Sequence, residues 1–117
     1  MLFRSTFFGN SNIRFKDIID GLSNTMIIGE RSSQLGGSVW HGWIAEAADS
    51  GARFLGVADH APNSKIGHFE DFSSRHAAGI HIVLADGSTR LLSDTIDIAI
   101  YQALVTRAGG EINKAID

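Results

Sequence analysis

The sequence predicts a small α+β domain: an antiparallel sheet built round a central Asp-Gly hairpin and packed by a C-terminal helix. Three observations predict it. Gly79-Ile-His-Ile-Val-Leu-Ala-Asp86-Gly87-Ser-Thr-Arg-Leu-Leu-Ser93 reads as two short strands joined by Asp-Gly, among the strongest short-range hairpin signals. Residues 94–108 carry apolar side chains at helical spacing and run into Gly109-Gly110, the usual left-handed stop. Thirteen glycines against one proline indicate many turns, as in a β-rich domain rather than a helical bundle.

Composition narrows the function classes. The 117 residues, 44% hydrophobic and 20% charged, suffice for one core but not two. A net charge of −3 without a basic cluster or stripe gives no footprint for nucleic acid. The absence of cysteine excludes a disulfide framework and a thiolate metal site. No apolar run is long enough to span a bilayer, and Phe7-Phe8 is too short for a signal-peptide core.

Taken in order, residues 1–11 are poorly patterned and are expected to be non-native in part. Leu2-Phe3-Arg4-Ser5 is what a common sequencing adapter encodes in one reading frame. Residues 12–112 are expected to form a single domain, and 113–117 a tail. Phe15, Ile18, Ile19 and Leu22 make a helical stripe, expected to give one or two turns ending near Gly21. Thr25 to Gly29 is a continuous apolar run, consistent with a buried strand. Ser38 to Ile44 reads as a second strand, with Val39, His41 and Trp43 on one face and Trp40 on the other. Residues 45–71 lack a sustained period and form a long loop, with Phe54 to Val57 as a short edge strand.

In the hairpin, a type I′ turn would need positive φ at both Asp86 and Gly87. Ile80, Ile82 and Leu84 share one strand face, and His81, Val83 and Ala85 the other. The helix that follows can be capped by Asp94 or Asp97.

Several constellations could carry chemistry. His60, His68, Asp71 and His76 fall in one irregular stretch and could converge on zinc or another divalent ion, although no tight ligand spacing is present. Ser73, Ser74 and His76 beside Asp71 or Asp86 supply the residue types of a hydrolytic triad, without a nucleophile elbow. Trp40 and Trp43 could form a platform for carbohydrate or peptide. The structural reading of His76 is simpler: a ring that pins the strand start to a carboxylate, with Asp71 or Asp86 as that carboxylate. Asp86 also suits acceptance from backbone amides two residues on. No pattern calls for a cofactor.

His76, nine residues, then Asp86-Gly87 resembles the His-x9-Asp-Gly signature of a large bacterial prepilin-like family, domain of unknown function 1559. Asp20-Gly21-Leu-Ser-Asn24-Thr followed by Gly29-Glu30-Arg31 resembles a second segment of that family. Tyr101-Gln-Ala-Leu and Thr106-Arg-Ala-Gly-Gly-Glu111 resemble its closing helix and stop. The resemblance covers roughly 12–112. It implies His76, Asp86, Gly87, Asp20, Gly21, Asn24 and Glu30 as structural motif residues, with no catalytic group. It further implies a pilin-like, extracytoplasmic head linked to type II secretion or a type IV pilus-like system. Its partners would be pilin-like or envelope proteins, and full-length relatives would be anchored by a helix that this sequence lacks. One departure is local: Ala77-Ala78 stands where relatives commonly have Pro-Gly.

Overall fold

Gly79–Leu84 (β2) is the centre of the molecule, flanked by Met26–Gly29 (β1) on one side and Thr89–Ser93 (β3) on the other, all antiparallel. The computed structural model describes residues 6, 7, 10–35, 38, 39, 42 and 44–108. Alternation along β2 sets the layers. Ile80, Ile82 and Leu84 are at most 1% exposed, and His81 between them faces solvent. Ile98–Leu104 (α1) contributes Tyr101 and Leu104 to the same core, with Met26, Leu92 and Ala58. Each fully buried aliphatic side chain contributes about 2 kcal/mol of transfer free energy, so this stripe is the main source of cohesion. The architecture is the expected α+β arrangement of a three-stranded sheet and one C-terminal helix.

Three details differ from the sequence reading. β1 carries a bulge between Met26 and Ile28, so these residues lie on opposite faces instead of sharing one. Met26 is 5% exposed and Ile28 is 59% exposed, which makes β1 half-buried. The stripe at 15–22 does not bury either. Phe15 and Ile19 are 69% and 73% exposed, and the segment forms two short 3-10 turns, Phe15–Asp17 and Leu22–Asn24. Gly21, at φ 99°, breaks the chain between them, leaving Ile18 as the buried anchor.

The hairpin turn is the third difference. Gly87 alone has positive φ, 86°. The Gly87 amide donates to the Leu84 carbonyl at 2.9 Å, and the Leu84 amide donates to the Ser88 carbonyl at 2.9 Å. That is a three-residue loop closed by a glycine bulge rather than a type I′ turn.

α1 is shorter than 94–108 because Asp97 starts it, accepting from the amides of Ala99 (2.8 Å) and Ile100 (3.3 Å). Residues 93–96 instead form a turn closed by Ser93, whose side chain accepts from the Thr95 amide at 3.1 Å. Phe54–Val57 forms no strand; Val57 makes a lone parallel bridge to Asp71. Of the expected strand at 38–44, Trp40, His41 and Trp43 lie outside the described residues, as do 1–5, Gly109-Gly110 and the tail. The described residues Ser38, Val39, Gly42 and Ile44 belong to no strand.

Candidate functional site

Antiparallel pairing of β1 with β2 brings the two distant motif segments together at both ends of the hairpin. The residues before β1 must meet the end of β2, and those after β1 must meet its start.

At the turn, the Asp86 amide donates to the Leu22 carbonyl (3.1 Å), and the Ala85 amide donates to the Thr25 carbonyl (2.8 Å). The Asp86 carboxylate accepts from the Ser88 amide (2.8 Å), the Ser88 hydroxyl (2.6 Å) and the Ser23 hydroxyl (2.8 Å). Those bonds, the Ser88 hydroxyl first, hold the Asp86 carboxyl below the usual carboxylate range. The Ser23 side of this contact is itself braced. Asn24 donates from its side chain to the Asp20 carbonyl (3.0 Å), and Thr25 from its hydroxyl to the Gly21 carbonyl (3.1 Å). The Asp20 amide donates to the Arg107 carbonyl (3.1 Å), which ties the segment to the chain just beyond α1.

At the open end, Glu30 takes the role. Its backbone continues the ladder, donating to the His81 carbonyl (3.3 Å) and accepting from the Ser73 amide (3.0 Å). One carboxylate oxygen meets His76 Nε2 at 3.1 Å. The other accepts the His81 amide at 2.7 Å and lies 3.4 Å from His81 Nδ1. Partial burial works to raise the Glu30 carboxyl, but the His81 amide and the His76 ring outweigh it and hold it low. The carboxylate that pins His76 is therefore Glu30, not Asp71 or Asp86. The imidazoles of His76 and His81 meet edge to face, 4.6 Å between centres.

The four residues considered for a metal do not converge. His60, His68 and Asp71 gather in the 45–71 loop, and His76 stands apart with Glu30. Asp71, only 2% exposed, accepts from the His68 amide at 2.7 Å and contacts His60 Nδ1 at 2.8 Å. Asp59 joins this group, its carboxylate 3.8 Å from Nδ1 of both His60 and His68. The other Asp71 oxygen and the buried Tyr101 hydroxyl have no hydrogen-bonding partner among the described residues. Burial, with the Asp71 charge added, pushes the Tyr101 hydroxyl far above its ordinary value.

The residues of a hydrolytic triad are likewise not assembled. Ser73 Oγ accepts from the Ser32 amide (3.0 Å), and Ser74 Oγ donates to the Gly79 carbonyl (2.6 Å). Both hydroxyls are engaged with backbone.

Sequence reasoning passed over Ser23, Arg31 and His81 as site residues. Arg31 clamps the long loop, donating to the carbonyls of Ala52, Leu55 (2.6 Å) and Glu70 (3.1 Å). Strand alternation did place His81 on the face away from Ile80 and Ile82, and that was the available signal for it.

The fold and its paired motifs define a class: a small α+β domain whose hairpin is clamped at both ends by the segment around β1. A family model described as a protein of unknown function, DUF1559, matches residues 4–99, and the chain belongs to that family. No curated protein matches this chain. No solved structure matches it either.

Proposed function

We propose that this chain is a non-catalytic structural or interaction head of a prepilin- or pseudopilin-like envelope protein. One observation carries the reading: His76 and Asp86 are engaged in holding the hairpin against Glu30 and Ser23, and Gly87 supplies the positive φ of its turn. The signature then describes a way to build a head, on which partner surfaces are free to vary. The exposed sheet face, with Ile28 at 59% and Leu91 at 54% exposure, offers apolar surface to such a partner. In this reading the head is extracytoplasmic, assembles with pilin-like or other envelope proteins, and serves a type II secretion or type IV pilus-like system.

The test is fractionation of cells expressing the tagged native gene, followed by crosslinking. The expected result is an envelope-associated product crosslinked to pilin-like subunits. A product confined to the cytosol, or one without such crosslinks, would overturn the reading.

A further inference from the structure

We propose that Glu30, His76 and His81 bind one divalent transition-metal ion, with zinc as the preferred occupant. One donor atom from each residue lies within 4.8 Å of the others. The two Glu30 oxygens serve one ring each: Oε1 stands 3.1 Å from His76 Nε2, and Oε2 stands 3.4 Å from His81 Nδ1. Zinc ligands at about 2.0–2.2 Å in tetrahedral geometry stand about 3.3 Å apart. Each imidazole nitrogen thus already stands from a Glu30 oxygen at about the spacing that a shared ion imposes, within a cluster no wider than 4.8 Å. Two imidazoles and one carboxylate are also a donor set that divalent transition metals favour.

The protonation chemistry fits. A neutral imidazole carries its proton on either nitrogen, so both rings can turn a lone pair towards Glu30. The site then carries one negative charge, which a dication complements. The guanidinium of Arg31, next to Glu30 in sequence, is held by the loop carbonyls of Leu55 and Glu70.

The backbones are fixed in advance. Glu30 and His81 are joined through the ladder, and the His76 amide is held by Ser74 Oγ at 3.1 Å. The rings of His76 and His81 are 54% and 53% exposed, so an ion has a route in. A surface cleft that reaches Glu30 and His76, lined also by Ser32, Ser73, Ser74 and Arg75, leaves room for water as the fourth ligand. The Asp59, His60 and His68 group is the weaker candidate. Its separations to Asp59 are 3.8 Å, and His60 Nδ1 is already engaged by Asp71 at 2.8 Å.

Titration of zinc chloride into the metal-stripped chain, followed by calorimetry, tests the proposal independently of any envelope role. The parent should bind one zinc per chain. His81→Ala, which removes only an outward-facing ring, should weaken binding about tenfold or more. His68→Ala should leave binding unchanged. Cobalt should give visible bands with the parent that His81→Ala loses, a signature that a purely structural histidine would not produce. Thermal melts confirm that each variant is folded. No binding by the folded parent, binding that survives His81→Ala, or loss with His68→Ala would each overturn the proposal.

Discussion

The turn end and the open end of the β2–β3 hairpin are both held by residues flanking β1, yet their chemistry differs. At the turn, the carboxylate of Asp86 takes three neutral donors, and a glycine occupies the positive-φ position. At the open end, the carboxylate of Glu30 faces two solvent-exposed imidazoles, and an alanine, Ala78, stands at φ 72°. The turn end holds what a stable turn requires and nothing more. The open end carries ionisable rings and backbone strain that folding alone does not demand. Strain beside a cluster of chemistry-bearing groups is the setting of the ion site proposed above.

The largest expected effect is at the open end. A Cβ on Gly79 would stand 2.1 Å from the Leu92 carbonyl oxygen, which belongs to the backbone of β3 and cannot swing aside. Gly79→Ala should therefore push β3 away and cost about 3 kcal/mol, enough to remove much of the stability of a small domain. A melt within a degree of the parent would show that the strands are not as closely paired there as described.

The turn end should answer next. Gly87 has no atom within 4 Å of a built Cβ, so a substitution there meets backbone strain and no clash. Gly87→Val places a β-branched residue at φ 86° and should cost about 2 kcal/mol. Asp86→Ala leaves the backbone free and loses only exposed hydrogen bonds, so its melting temperature should fall less. Chemical denaturation of the two variants would reverse this ranking only if the Ser23–Asp86 bridge, not the glycine, governs the turn.

Much of this geometry was legible in the sequence, for local reasons. Ile80, Ile82 and Leu84 alternate with polar or half-buried neighbours, so β2 and its buried face follow from a period of two. The turn type did not follow, because Asp-Gly suits both a type I′ turn and a glycine bulge. Tertiary bonds from Leu22 and Ser23 accompany the second form here. The stripe at 15–22 had helical spacing without a surface to cover, and Gly21 interrupts it. The partner of His76 was hidden for another reason. Glu30 lies 46 residues away, and only the antiparallel order of β1 and β2 brings it near. Asp71 and Asp86 are nearer to His76 along the chain, which is a poor guide across a sheet.

Ala78→Gly offers a smaller effect of opposite sign. Relief of left-handed strain in alanine is worth about 1–2 kcal/mol. The greater freedom of glycine in the unfolded chain returns about 0.4–1 kcal/mol. The net should be a stabilisation of about 0.5 kcal/mol, read as a rise of about 2–4 °C in melting temperature. A fall would mean that the alanine makes contacts that outweigh its strained backbone.

The smallest effect at neutral pH should come from Glu30→Gln, because the amide keeps an oxygen for the His81 backbone donor. Acid should remove what difference there is. The Glu30 carboxyl is held below its ordinary range in the fold, so the unfolded chain takes up the proton first. Its contribution is complete above the ordinary carboxylate value of about 4.3 and is lost as pH falls through the lower, folded value. Parent and variant, both stripped of metal, should thus converge in stability as pH is lowered from about 5 to 3. Asp86 is untouched in both proteins, so its own acid loss cancels in the difference. Parallel pH profiles would place the acid sensitivity of the hairpin at the turn end, and would leave Glu30 as a neutral brace.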